Sequence, residues 1–315
     1  MILLIEVTLC TIILKKMLEI KNLSKNYGNI KAIDNLSFKV NSGKIFGLLG
    51  PNGAGKSTTI KSIINVIKPN DGQILFDGNP INNNFLNRIG YLPEERGLYK
   101  KSKVIDVISY LASLKGLHPN EIISRANSWL AKLGVIDLRN RKIEELSKGN
   151  QQKIQFICAV IHNPDLLILD EPFSGFDPIN QQEIKNFILD FLDNGKSIIL
   201  STHQMDTAEK LCSDILLLNN GKSVLQGSLQ EIKQNFGGNH IRISFNGDQN
   251  ILQSFSEVIS YETFSNFIEV HLVDNFPPSE FLKKLVQTVS VNHFTIIEPT
   301  LEKIFIDTIK NEKSK

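Results

Sequence analysis

The sequence is poor in most features that would assign a specialised class at a glance. Its three cysteines in 315 residues, Cys10, Cys158 and Cys212, are odd in number and share no close spacing. That excludes a disulfide framework and a zinc knuckle and suits a reducing compartment. Cys158, in "IQFICAVI", reads as a small buried hydrophobe. Charge bias is also missing: 35 Lys and Arg stand against 33 Asp and Glu, for a net charge of +2. Bulk electrostatics therefore give no pull toward nucleic acid or an anionic membrane. There is no internal repeat, low-complexity tract or coiled-coil pattern.

A membrane-spanning run is lacking as well. The opening "MILLIEVTLCTIILKK" is interrupted by Glu6 and falls short of the ~20 residues a spanning helix needs. Its positive charges follow the apolar stretch instead of preceding it, contrary to a secretory signal. Met17 begins "MLEIKNLSKNYG", a clean strand and turn. Translation is expected to start there, with residues 1–16 an upstream misreading of the start; a short membrane-surface anchor is the other reading. With 41% hydrophobic and 22% charged residues, the chain can build one large core or two domains.

What is present is an α/β pattern. "KIFGLLG" (Lys44–Gly50), "DLLILDE" (Asp165–Glu171) and "KSIILSTH" (Lys196–His203) are short, continuous apolar runs, each followed by a helical period. Such runs mark strands buried on both faces of a parallel sheet, with function at their carboxyl ends. Ahead of them, "LEIKNLSKNY" and "IDNLSFKVN" alternate as a solvated antiparallel portion does. From Val104 to Leu146 the pattern turns helical, with Pro119 suited to a first turn and Gly134 to a helix end. This reads as a helical subdomain inserted into the sheet domain, at about residues 95–160. After "NFGGNH" a small α/β module is expected, with strands in "IRISF", "FIEVHLV" and "FTIIEP" and helices in "PSEFLKKLVQTV" and "TLEKIFIDTIK". The expected boundaries are 17–236 for the first domain and 240–315 for the second.

"GPNGAGKST", Gly50 to Thr58, follows the first apolar strand and opens a helix. It satisfies G-x-x-x-x-G-K-[ST] in the context that motif requires. Gly50, Gly53 and Gly55, with Pro51, Asn52 and Ala54 between them, let successive backbone N–H groups curl around a β-phosphate, and the helix N-terminus adds a favourable dipole. Lys56 would reach the β- and γ-phosphates of a nucleoside triphosphate, and Ser57, beside Thr58, would ligate Mg²⁺. At the end of "LLILDEP", Asp170 would hold Mg²⁺ through water and Glu171 would polarise an attacking water. A solvated strand end is the bland reading of those two acids, but burying them without a cation would cost several kcal/mol.

"EELSKGNQQKIQ", Glu144 to Gln155, is ambiguous alone: the polar start of an amphipathic helix, or a phosphate-grasping element completed by a second copy. The motif order decides between them. Over roughly Leu18 to Phe236 the chain resembles the ATP-binding cassette (ABC) ATPases. Tyr27 stands where the family places an adenine-stacking aromatic, "LSKGN" where it has LSGGQ, "SGFDP" where it has the D-loop with Asp177, and His203 where it has the switch histidine. The resemblance implies a P-loop NTPase fold and ATP hydrolysis. It also implies that Ser147 and Gly149 address the γ-phosphate held by another subunit.

Two departures matter. Glu94 in "IGYLPEERGLY" replaces the family's Q-loop glutamine and can face Mg²⁺ or the lytic water, while Lys148 and Asn150 alter the LSGGQ element. The first stretch resembles the branch serving ABC-2 type exporters, whose members carry a small C-terminal accessory domain. The resemblance thus implies a homodimer of ATPase subunits on the cytoplasmic face of a membrane, docked on a separate integral membrane transporter subunit. Leu98 and Tyr99 are candidate docking anchors. A soluble ABC ATPase acting on ribosomes or nucleic acid is the alternative; its members usually carry two cassettes or long coiled coils, neither of which occurs here. His271 and His293 show no ligand spacing and read as structural or surface residues.

Overall fold

The computed structural model describes residues 16–95, 97–174, 178–193, 196–237, 240–273 and 276–313. They form two compact units that divide after Gln226, and each is described by itself.

The first unit opens with β1 (Lys16–Tyr27) and β2 (Ile30–Asn41). With β4 (Asp71–Phe76) and β5 (Asn79–Pro80) they make an antiparallel sheet ordered β2-β1-β4-β5. The alternation seen in the sequence has the expected consequence: Leu18 and Ile20 of β1, and Leu36, Phe38 and Val40 of β2, are buried. The second sheet contains β3 (Ile45–Leu49), β6 (Ile89–Leu92), β7 (Leu166–Asp170), β8 (Ser197–Thr202), β9 (Asp214–Asn219) and β10 (Lys222–Ser228). Every residue of β3, β7 and β8 is buried, which is why their central runs are apolar, with the polar Asp170, Ser197, Ser201 and Thr202 only toward the strand ends. The order is β10-β9-β3-β8-β7-β6, with parallel pairing from β9 through to β6. Phe38 stacks on Phe46 at 5.1 Å between centroids, joining the two sheets in one core.

This order brings four chemically loaded strand ends side by side. Gly50 follows β3, His203 follows β8, Glu171 follows β7 and Glu94 lies just past β6. A P-loop helix, α1 (Lys56–Ile63), leaves β3, and a one-turn helix, α2 (Asn83–Asn87), precedes β6. Between β6 and β7 come α3 (Val104–Leu114), α4 (Pro119–Lys132) and α5 (Lys148–Val160). They pack on one another through Val104, Ile108 and Ala112 of α3 and Ile122, Ala126 and Leu130 of α4, a helical stripe in each case. Pro119 occupies the first turn of α4, and Gly134, at φ 66°, takes the left-handed turn that ends it. Helix α6 (Pro178–Asp193) crosses between β7 and β8, and α7 (Met205–Leu211) between β8 and β9.

The second unit begins with α8 (Leu229–Phe236), capped by Ser228. Composition placed this boundary near His240; α8 instead packs with the last helix, α10 (Leu301–Lys313), and Lys233 pairs with Glu298 at 3.2 Å. An antiparallel sheet joins β11 (His240–Asn246), β12 (Val258–Thr263), β13 (Ile268–Leu272) and β14 (Ser290–Ile296) in the order β12-β13-β11-β14. Helix α9 (Pro278–Leu285) supplies Phe281 and Leu285 to a core with Ile241, Ile243, Val270 and Leu272. His271 is not isolated: the β11–β13 register sets it opposite His240, with the rings stacked 4.1 Å apart.

Candidate nucleotide site

The loop after β3 is shaped by what surrounds its glycines. Gly50 has φ 149°, and a Cβ there would sit 2.3 Å from the Leu218 carbonyl oxygen. Gly55 has φ 108°, and a Cβ there would sit 2.6 Å from the Ala32 carbonyl oxygen. Only glycine meets both the torsion and the space at these points. The loop closes with the Ala54 N–H donating to the Pro51 carbonyl at 3.2 Å. Its concave side, residues 51–58, lines a cleft of about 410 Å³ together with Ala32, Glu94, Asp170 and Glu171. Residues from distant parts of the sequence thus meet over the N-terminus of α1, where backbone N–H groups favour an anion.

Lys56 is buried, and its Nζ donates to the Gly50 carbonyl at 2.7 Å and the Pro51 carbonyl at 3.3 Å. It lies 3.8 Å from Glu171 Oε1. Burial draws the ammonium below the ordinary lysine range, while the charges of Glu171, Asp170 and Glu94 resist that shift. Burial likewise raises Asp170 above the usual carboxylate range, with the charge of Glu171 adding to the effect and the nearby hydroxyls of Ser201 and Ser57 opposing it.

Asp170 Oδ1 is buried with no hydrogen-bond partner among the described residues. An orphaned carboxylate oxygen beside a second acid, next to the Ser57 hydroxyl and facing Glu94 across the cleft, suits a hard divalent cation. No group of three or more His, Cys, Asp and Glu residues arranged to hold a metal occurs among the described residues. An ion here would therefore take much of its coordination from water and phosphate oxygens, as Mg²⁺ usually does.

Glu171 is held at φ 48°, a left-handed conformation for a non-glycine residue, which costs of order 1–3 kcal/mol. Three groups fix its carboxylate. Thr202 Oγ1 donates to Oε2 at 3.1 Å, and both the backbone N–H and the ring Nδ1 of His203 meet Oε1, at 2.9 and 2.7 Å. Thr202 also accepts from the Gln204 N–H at 3.1 Å. Sequence reasoning missed Thr202, although its place directly before His203 at the end of a buried strand was the available signal.

Of the expected site residues, Pro51, Asn52, Gly53, Ala54, Gly55, Lys56, Ser57, Thr58, Glu94, Asp170 and Glu171 come together in the cleft, with His203 tied to it through Glu171. Gly50 closes the loop through its carbonyl. Tyr27 does not line the cleft; its ring is exposed near the end of β1 with Lys25 Nζ 5.4 Å from the centroid. Asp177 lies outside the described residues. Ser147 and Gly149 also lie away from the cleft, at the start of α5. Ser147 caps that helix, accepting from the Asn150 N–H at 3.3 Å. Ser147 and Lys148 are exposed and Gly149 partly so. Cys158 and Cys212 are not reactive thiols: burial pushes both up to about 12.

A glycine cradle, a buried lysine and a strand-end pair of acids define a P-loop nucleotide hydrolase. The ABC transporter family pattern matches residues 33–174, and that of the ATP-binding protein DrrA1-3-like C-terminal domain matches residues 227–309. The ABC transporter ATP-binding protein YhaQ of Bacillus subtilis is 42% identical over 93% of this chain and 98% of its own length. The lantibiotic transport ATP-binding protein SrtF of Streptococcus pyogenes is 31% identical over 78% of this chain and 99% of its own length. A solved ATP-binding subunit of an ABC transporter superposes with a TM-score of 0.65 at 32% identity, covering 70% of this chain and 93% of that one. The chain belongs to the ABC transporter ATP-binding proteins, and as a member it is a nucleotide-binding ATPase.

Proposed function

We propose that this chain drives an exporter by closing head to tail on a second copy of itself around two ATP molecules. Lys56 and the loop N–H groups hold the β- and γ-phosphates, and Tyr27 stacks on adenine. Ser57, Asp170 and Glu94 would hold Mg²⁺, which would screen the triphosphate charge. Glu171 orients and polarises the attacking water, and His203 contacts the γ-phosphate while steadying Glu171. Ser147 and Gly149 of one chain, with the N-terminus of α5, complete the site of the other. One chain carries both halves, so a two-fold dimer makes two equivalent sites.

The observation that carries this reading is the separation of the halves. The cleft holds the catalytic acids, whereas the capped and exposed start of α5 stands outside it. Lys148 is exposed there, adding positive charge to the surface that would meet a neighbour's phosphate.

No helix of the described residues is long and apolar enough to cross a membrane. The membrane part is therefore assigned to a separate polypeptide, met from its cytoplasmic face. Leu98 is buried and offers no anchor. Tyr99 is exposed instead and meets the equally exposed Tyr110 edge-on at 5.7 Å. With exposed Leu114 one turn further along α3, they form the docking patch. Export as the direction is supported by the relative named for lantibiotic transport and by another named for lipopolysaccharide export.

Ser147→Asp tests the composite site. Aspartate keeps the helix cap but sets a carboxylate against the neighbour's γ-phosphate. Hydrolysis is expected to vanish with ATP binding and melting temperature retained; wild-type turnover in this variant would reject the shared site.

A further inference from the structure

Two buried glutamines of α5 have no part in the chemistry above. Gln152 and Gln155 are 6% and 5% exposed and, three positions apart on a helix, share one face. Gln152 Nε2 donates at 2.9 Å to the carbonyl of Pro172, the residue after Glu171. Gln155 Nε2 donates at 3.3 Å to the carbonyl of Pro93 and at 3.0 Å to that of Glu95, one on each side of Glu94. Carbonyls only accept, so both amides must turn nitrogen toward the strand ends. The other face of each amide is left costly: Oε1 of both glutamines is buried without a hydrogen-bond partner among the described residues. An apolar side chain at either position would avoid that cost.

We infer that Gln152 and Gln155 are positioning residues that lock Glu171 and Glu94 to α5, so that capture of a neighbour's nucleotide at Ser147 sets the carboxylates of the chain's own site. This rests on the composite-site reading above. The helix is the rigid part. Ser147 caps its first turn, and the two glutamines grip the ends of β7 and β6 at most ~12 Å further along its axis. Both grips are on backbone, so they govern where the acids stand without altering their charge. One element then carries information between the two sites of a dimer: its tip reads the partner's ATP, and its buried face holds the acids that act on its own. Neither glutamine touches nucleotide.

The test uses the full-length chain with Gln152→Met, Gln155→Met and the double substitution, which keep side-chain length and remove the donors. Gln155→Glu is a second variant of the same shape, without a donor while its carboxylate is ionised. Affinity for a fluorescent ATP analogue is expected to stay within about twofold of the parent, the mark of intact ground-state binding. In the double variant kcat should fall at least ~10-fold, the scale of a small misplacement of catalytic groups. The Hill coefficient for ATP should drop from about two toward one, because coupling between the sites is lost. ATP-dependent dimerisation in a Glu171→Gln background should persist. Parental kcat and cooperativity in all four variants would overturn the inference, as would a loss confined to melting temperature and nucleotide affinity. A Glu171→Gln parent that fails to dimerise would instead reject the composite site itself.

Discussion

Glu171 Oε1 and His203 Nδ1 stand 2.7 Å apart, and the His203 backbone N–H donates to the same oxygen at 2.9 Å. The carboxylate oxygen accepts, so the ring nitrogen facing it carries the proton. A residue at a strained φ is thus held by the end of the neighbouring strand, not by its own. Glu171 and His203 are joined directly, and Thr202 is the side chain that completes the attachment.

Thr202→Val should expose that dependence. Valine matches threonine in shape and suits a buried strand, but it cannot donate to Glu171 Oε2. A hydrogen bond to a charged group is worth about 1.5–3 kcal/mol, so kcat should fall roughly tenfold or more with KM little changed. Steady-state ATPase kinetics decide this, and an unchanged kcat would show that the two His203 contacts suffice.

The phosphate loop should tolerate no side chain at Gly55. Gly55→Ala places a Cβ 2.6 Å from the Ala32 carbonyl at φ 108°, against backbone that cannot swing aside. Nucleotide affinity should drop at least ~10-fold, because the loop N–H groups lose their common focus. Gly53→Ala, with open space around it, should cost only about 1 kcal/mol from its positive φ. Fluorescent-nucleotide titration and thermal melts on both variants separate clash from torsion.

Acid should weaken both units. Burial carries His162 and His240 from their ordinary 6.5 down to about 4. Between those values the unfolded chain binds protons that the folded chain refuses. The stability conferred by the neutral rings is therefore complete above about pH 6.5 and is lost as pH falls toward about 4. His162 Nε2 meets the Ile89 carbonyl at 2.9 Å, a contact a glutamine amide can replace. Urea unfolding at several pH values should show a shallower acid decline in His162→Gln than in the parent.

Much of the fold was legible because its signals are local. Continuous apolar runs gave β3, β7 and β8, and Pro119 and Gly134 bounded α4, since burial on both faces and fixed backbone torsions leave marks in adjacent residues. Edge strands leave none: β12 is almost wholly exposed or half-exposed, so Val258–Thr263 showed no alternation to read. Strand β14 began earlier than "FTIIEP" suggested for the same reason. Within the site, the loop glycines, Lys56, Asp170 and Glu171 could be found from motif spacing. Gln152 and Gln155 could not, because a polar residue in the first turns of a helix reads as solvated and only the packing of α5 against two strand ends buries it. The His240–His271 stack and the inward turn of Leu98 depend on strand register and tertiary packing in the same way.

The assembly itself is tested most directly by the mass of the Glu171→Gln chain in solution, measured by analytical ultracentrifugation with and without Mg²⁺ and ATP. If Glu171 polarises the attacking water as proposed, its loss should leave binding intact and stop turnover, so the expected result is a monomer that becomes a stable dimer on adding ATP. A chain that binds ATP yet stays monomeric would contradict the shared site.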